Sequence, residues 1–309
     1  MRQSTERGNF IEWLLMLLAL SVIIFSIIVP RGKGGLGGGF PSFSPVSLDS
    51  INYGIETTTS SGNTGIAIST GNAAYTLQPQ DEYIVIENRG GTSVNITGWR
   101  LENAKSQRGY ASGSELVHYA SDTAVIPQGA RLISTSGSGA LGNIILKPGE
   151  KAIVLSGTPG NLGSTQLVSF KENACTGYLS ESVSFSPSLD NSCVRPSNET
   201  GASNLDTACR SYLDSMRSCH TPKYDTRTTA GSTCSGCVDN KSGLSGACVS
   251  YIKSHFSYAG CLASHSSDSD FESRTWRVFL YRPWEMWADS HETIYLYDNF
   301  NRLITSTSY

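Results

Sequence analysis

DEYIVIENRGGTSVNITGWRLEN, Asp81 to Asn103, decides the fold class of this chain. Tyr83, Val85 and Glu87 alternate with Ile84 and Ile86. That is the period of a strand with one face toward a core. The run ends at Asn88-Arg89-Gly90-Gly91, a turn signal, and Val94, Ile96 and Trp99 then lie along a second extended segment. Gly98 permits a bulge or a close backbone approach. Trp99 offers a core a large apolar body, with an indole N–H that needs a partner. No catalytic motif lies in the stretch.

The same grammar recurs outward from it. GIAIS after Asn63-Thr64 is a short strand, and TAVIP, ARLIST, NIILKPGEKAIVLSG, RTWRVFLY, ETIYLYD and LITSTSY follow. Pro127-Gln128-Gly129 and Pro148-Gly149 punctuate them as turns. Strands at this spacing predict a mainly β fold, a sandwich or barrel.

EYIVIENRGGTSVNITGWRLEN resembles the lamin tail domain, an immunoglobulin-like β-sandwich. Glu82-Tyr83-Ile84, Asn88, Val94, Ile96, Gly98-Trp99 and Leu101 carry the resemblance. ILKPGEKAIVL is similar to a later strand pair of that family, and DSHETIYLYDNFNRLITSTSY to its closing hairpin. Asn299-Phe300-Asn301 stands where the family turns on glycine. The resemblance covers residues 65–170 and 274–309. It implies a sandwich over 63–170 and 274–309, with Gly98 and Trp99 as fold-core residues, and a tendency to mediate contacts.

The 309 residues are 16% charged, with 31 glycines and a net charge of -3. No basic excess points to nucleic acid. Trp13 to Val29 reads WLLMLLALSVIIFSIIV, without charge, proline or glycine. With Phe10 and Ile11 it approaches the roughly 20 residues that cross a bilayer. No small-x-small cleavage site follows, so residues 1–30 read as a tip and an uncleaved signal anchor, with residues 11–29 in the membrane. Arg2 and Arg7 before it balance Arg31 and Lys33 after it, so positive charge sets no orientation. Disulfides persist outside the cytosol, and the cysteines therefore place the C-terminal bulk there. Gly8-Asn9-Phe10-Ile11-Glu12 also resembles a type IV pilin start, one residue short, which keeps a pilin-like filament subunit as an alternative. Residues 31–62 form a Gly/Pro/Ser/Thr-rich linker. Its Gly32, Gly34 and Gly37 match G-x-G-x-x-G without the strand and helix a dinucleotide loop needs.

All eight cysteines lie between Cys175 and Cys261, in a Cys-rich insertion over 171–273. Leu205, Cys209, Tyr212, Met216 and Cys219 have helical spacing, with Ser203 or Asn204 as cap; Cys248, Ile252, His255 and Ala259 repeat it up to Gly260. The expectation is an antiparallel helical hairpin stapled by Cys209–Cys261 and Cys219–Cys248, with Cys234–Cys237 in the connection and Cys175–Cys193 as the fourth bridge. Eight cysteines allow 105 connectivities, so this ranks one of many.

Three other chemistries compete there. Cys234-Ser235-Gly236-Cys237 lacks the βαβ context of a redox site. Cys234, Cys237, Cys248, Cys261, His220, His255 and His265 are zinc-ligand types, but only one C-x-x-C exists. Asp268-Ser269-Asp270-Phe271-Glu272 lacks the EF-hand glycine and distal Glu, and reads as a solvated loop. No nucleophile elbow, H-E-x-x-H or P-loop is present, and Asp81-Glu82 reads as a solvated strand end. Trp284, Glu285 and Trp287 form the candidate recognition patch, against the blander reading that both tryptophans pack under the sandwich rim. Asn95, Asn198 and Asn240 head glycosylation sequons. The expected function is a membrane-anchored, extracytoplasmic, non-catalytic interaction or structural module, without a cofactor, whose partner is a protein or surface polymer. The alternative is a surface enzyme or zinc-binding domain built in the insertion.

Overall fold

The computed structural model describes residues 65–104, 108–112, 115–119, 122–225, 234 and 236–309. The expected anchor, the linker and the pilin-like start lie outside the described residues. Among the described residues, no helix is long and apolar enough to cross a membrane. The architecture is mainly β, with four disulfides.

The larger sheet has seven strands, in the order Ile66–Ser69, Tyr83–Asn88, Lys151–Leu155, Glu272–Phe279, Phe170–Asn173, Gly129–Ala130 and Leu141–Gly142. The smaller has four, in the order Leu303–Ser308, Thr293–Tyr297, Arg100–Asn103 and Thr123–Val125. Ile84 and Ile86 point inward and are fully buried, as their alternation predicts. Antiparallel pairing sets Ile84 beside Val154, and a parallel pair sets Val154 beside Val278. These residues share one core with Leu101, Ala124, Ile294 and Leu296 of the smaller sheet. Burying each such side chain contributes about 1.5–3 kcal/mol. Trp99 closes this core, 6% exposed.

SVNITGWRLEN is not one extended segment. Val94–Asn95 and Arg100–Asn103 are separate strands, because Gly98 turns the chain at φ 82°. At Lys147-Pro148-Gly149-Glu150, proline precedes a glycine at φ 75° and the Glu150 N–H donates to Lys147 O at 2.9 Å. This is a type II turn. Asn301 at φ 60° turns the hairpin between Thr293–Tyr297 and Leu303–Ser308 without a glycine, since asparagine tolerates the left-handed region. Asp298 holds that turn by accepting from the N–H groups of Phe300 and Arg302, both at 2.9 Å.

The second face of the larger sheet is buried too. Ile153, Leu155, Phe170 and Phe279 pack against Cys175, Tyr178, Leu179, Cys261 and Phe271 of the insertion. A sheet covered on both faces reads as near-continuous apolar runs, which is why Lys151–Leu155 and the end of Glu272–Phe279 do not alternate. The expected boundaries at 170/171 and 273/274 fall inside strands. Buried Arg277 ion-pairs with Glu172 and donates to Pro187 O at 2.6 Å and Ser188 O at 3.0 Å, fixing the insertion to the sheet.

The insertion is not the expected hairpin. Its helices are α1, Thr207–Ser215; α2, Gly246–His255; and α3, Tyr258–His265. Asp206, not Ser203 or Asn204, caps α1, and Cys219 lies beyond the helix at φ 57°. The second periodic run breaks at Phe256, and Ser257 caps a new helix by accepting from Gly260 N–H at 3.0 Å. Three expected bridges are therefore replaced. Cys209 pairs with Cys248, because each sits in the first turn of its helix and the two N-termini meet. Cys261, carried on α3, reaches Cys175 behind the sheet, and Cys219 turns back to Cys193. Cys234 and Cys237 bridge each other.

Candidate functional site

The site is built on a two-residue hairpin. Val238 and Lys241 exchange backbone hydrogen bonds at 3.0 and 2.8 Å around Asp239 and Asn240. Both central residues have positive φ, 48° and 65°, the signature of a type I′ turn, which favours Asp and Asn. The turn aims the Asp239 carboxylate at α1 and the segment beyond it. Asp239 Oδ2 accepts from the Tyr212 hydroxyl at 2.7 Å and meets His220 Nε2 at 2.8 Å, while Oδ1 accepts from Lys223 N–H at 2.8 Å.

His220 is clamped from its other side. Its Nδ1 lies 2.7 Å from Glu181 Oε1, and Glu181 also accepts from Thr221 N–H at 2.9 Å and faces Arg217 at 3.3 Å. Burial disfavours the charged ring, but the hydrogen bonds and charges of Glu181 and Asp239 outweigh it and hold the His220 pKa above its ordinary value. Burial likewise opposes the two carboxylates, and their hydrogen bonds and His220 nevertheless hold both below the usual range. With both nitrogens committed to carboxylates, His220 ties Glu181 to Asp239 and is not a free base.

These residues border an open cleft of about 540 Å³. Tyr212 and Met216, buried on α1 and just after it, form an apolar floor, and Arg217, Lys223 and Lys241 stand exposed at the rim. Ser215 donates its hydroxyl to Tyr212 O at 2.7 Å. The arrangement can bind and orient; among the described residues, no nucleophile stands beside an available base in it.

The residues singled out from sequence fall elsewhere. Trp99 is in the sheet core, as expected, but Gly98 is exposed: it acts through the turn it makes, where an alanine Cβ would lie 2.8 Å from Asn299 Oδ1. Trp284, Glu285 and Trp287 are not one exposed patch. Trp287 is fully buried in the sheet core, because the backbone N–H groups of Met286 and Trp287 are drawn inward by Glu82 at 2.6 and 3.1 Å. Glu82 is thus no solvated strand end; it is fully buried. Trp284 stays half-exposed, donating to Asp122 at 2.8 Å, with Arg282 5.7 Å from its ring centroid; Glu285 is also half-buried.

All eight cysteines are bridged, which removes every thiolate from the zinc set. His255 stacks on Tyr251 at 4.1 Å, and His265 spans Glu199 and Asp268 at 3.0 and 2.8 Å. Asp268 and Glu272 of the D-x-D-x-E run diverge, to His265 and to Arg131. Among the described residues, no group of three His, Cys, Asp or Glu side chains could hold a metal. Sequence reasoning singled out His220 only as a zinc-ligand type. Glu181, Tyr212 and Asp239 are 39, 8 and 19 residues from it, separations with no local pattern. The one available signal was Asp239-Asn240 between Val238 and Lys241, a two-residue turn.

The chain matches no protein-family model, no curated protein and no solved structure in the comparisons made.

Proposed function

We propose that this protein is a membrane-anchored, extracytoplasmic, non-catalytic binding module. Residues 11–29 tether it, a lamin-tail-like immunoglobulin sandwich is the scaffold, and the Cys-rich insertion carries the binding cleft. The observation that carries the reading is the pairing of all eight cysteines, since disulfides persist outside the reducing cytosol. The commitment of both His220 nitrogens supports binding over catalysis. The inward Tyr83–Asn88 strand, the Gly98-Trp99 turn, the Pro148-Gly149 turn and the closing hairpin support the sandwich.

The test uses the full chain in a bacterial host. Thiols are alkylated before reduction, and protease is added to intact spheroplasts. The expected outcome is no alkylated cysteine and external cleavage of the chain beyond residue 64. Eight reactive thiols, or a protected C-terminal bulk, would sink the proposal.

A further inference from the structure

We infer that the cleft beside α1 is an anion site: it takes a small ligand bearing one carboxylate, sulfate or phosphate group on an apolar body. This deepens the binding-module reading and rests on it.

Several of the charges around the cleft are already paired. Asp239 is occupied by the Tyr212 hydroxyl, His220 and Lys223 N–H. Glu181 is occupied by His220, Thr221 N–H and Arg217. Both carboxylates are therefore already hydrogen-bonded, although Asp239 lines the cleft. Lys223 and Lys241 have no ion pair among the described residues, and they stand at the same rim. Counted as charges, Arg217, Lys223 and Lys241 face Glu181 and Asp239, an excess of positive charge before any proton on His220 is added. The whole chain carries -3, opposite in sign to this count. Cationic donors around a concave surface favour oxyanions through charge-assisted hydrogen bonds.

The floor adds the second half of the ligand. Tyr212 and Met216 present apolar surface there. Tyr212 is held at its hydroxyl by Asp239, and α1 is held at its start by the Cys209–Cys248 bridge. A preorganised floor lowers the ordering cost of binding. A ligand with a compact apolar body and a single oxyanion fits both surfaces.

The test is calorimetric titration of the full chain in uncharged maltoside micelles. The probes are benzoate, phenyl sulfate and phenyl phosphate, with benzyl alcohol as the neutral counterpart. At least one anion is expected to bind, more weakly as salt is added, and benzyl alcohol is expected not to bind. Lys223→Ala with Lys241→Ala should weaken binding about tenfold, and the Lys→Glu pair should abolish it. Non-reducing peptide mapping should show the same four bridges in each variant. The inference is overturned if no anion binds, if benzyl alcohol binds equally well, or if the charge-reversed variant binds as before. Loss of anion binding with all cysteines still bridged and the bulk outside sinks this inference alone. Eight free thiols sink the compartment reading instead.

Discussion

Glu82 stands at the head of the strand that fixes the fold, yet its carboxylate turns away from water. It accepts from Met286 N–H, Trp287 N–H and the Ser156 hydroxyl, all buried. Glu82→Ala would orphan these donors, and an unmet buried donor is costly. The expected loss is about 3 kcal/mol, read from urea denaturation of the full chain. The neighbouring tryptophans separate core from surface in the same assay. Trp287→Ala should cost about 3–5 kcal/mol, as large core truncations do, and Trp284→Ala about 1 kcal/mol, as for a partly exposed side chain. Equal effects would contradict the placement of Trp287 in the core. Gly98 is constrained twice, by φ 82° and by Asn299 Oδ1. Gly98→Ala is expected to cost about 1–2 kcal/mol for the left-handed backbone alone.

At the scale of elements, the insertion is organised by helix ends and by histidines. Asp206 caps α1 by accepting from Cys209 N–H at 2.9 Å, and also accepts from the Ser245 hydroxyl at 2.6 Å, while Ser245 caps α2. One carboxylate thus serves two N-termini whose dipoles both favour negative charge. His220 and His265 are each clamped between two carboxylates. At both, burial opposes the charged ring, and the carboxylates outweigh it and raise the pKa above 6.5. Their stabilisation is therefore complete below pH 6.5 and is lost as pH rises through the raised folded values. Glu181 and Asp239, held low, contribute above the ordinary carboxylate values of 4.5 and 3.8, and lose this as pH falls through the lowered ones. The insertion should be most stable between pH 4.5 and 6.5. Amide exchange in α1 and α3, corrected for intrinsic rates, is expected to accelerate from mildly acidic to alkaline pH. A His220→Gln, His265→Gln variant should lose most of that dependence; an unchanged profile would refute the two clamps as its source.

At the scale of the molecule, the seven-stranded sheet is sealed by a second sheet on one face and by the insertion on the other. The Cys175–Cys261 bridge spans 86 residues and ties α3 to the chain just after the Phe170–Asn173 strand, while Cys193–Cys219 spans 26. Longer loops lose more unfolded-state entropy on closure, so removal of the first bridge should cost about 4.6 kcal/mol and of the second about 3.5 kcal/mol. Thermal melting of the two double Cys→Ser variants gives the comparison. The inverse order would show that the insertion, not the loop it closes, sets each bridge's contribution.

Local features were legible from the order of residues alone. Period two in Tyr83 to Asn88, the proline–glycine turn at Pro148-Gly149 and the alternation of Thr293–Tyr297 each needed only neighbours to be read. Tertiary structure decided what depends on distant partners. Cys209 lies 39 residues from Cys248 and Cys175 lies 86 from Cys261, and which pair meets depends on where helices stop. The break at Ser257 reassigned Cys261, because a serine cap redirects the chain while the apolar spacing continues through it. Glu82 and Trp287 followed the same rule. Their residue types allowed either solvent or core, and only the turn at Met286 and Trp287 placed the carboxylate against the N–H groups that hold both inside.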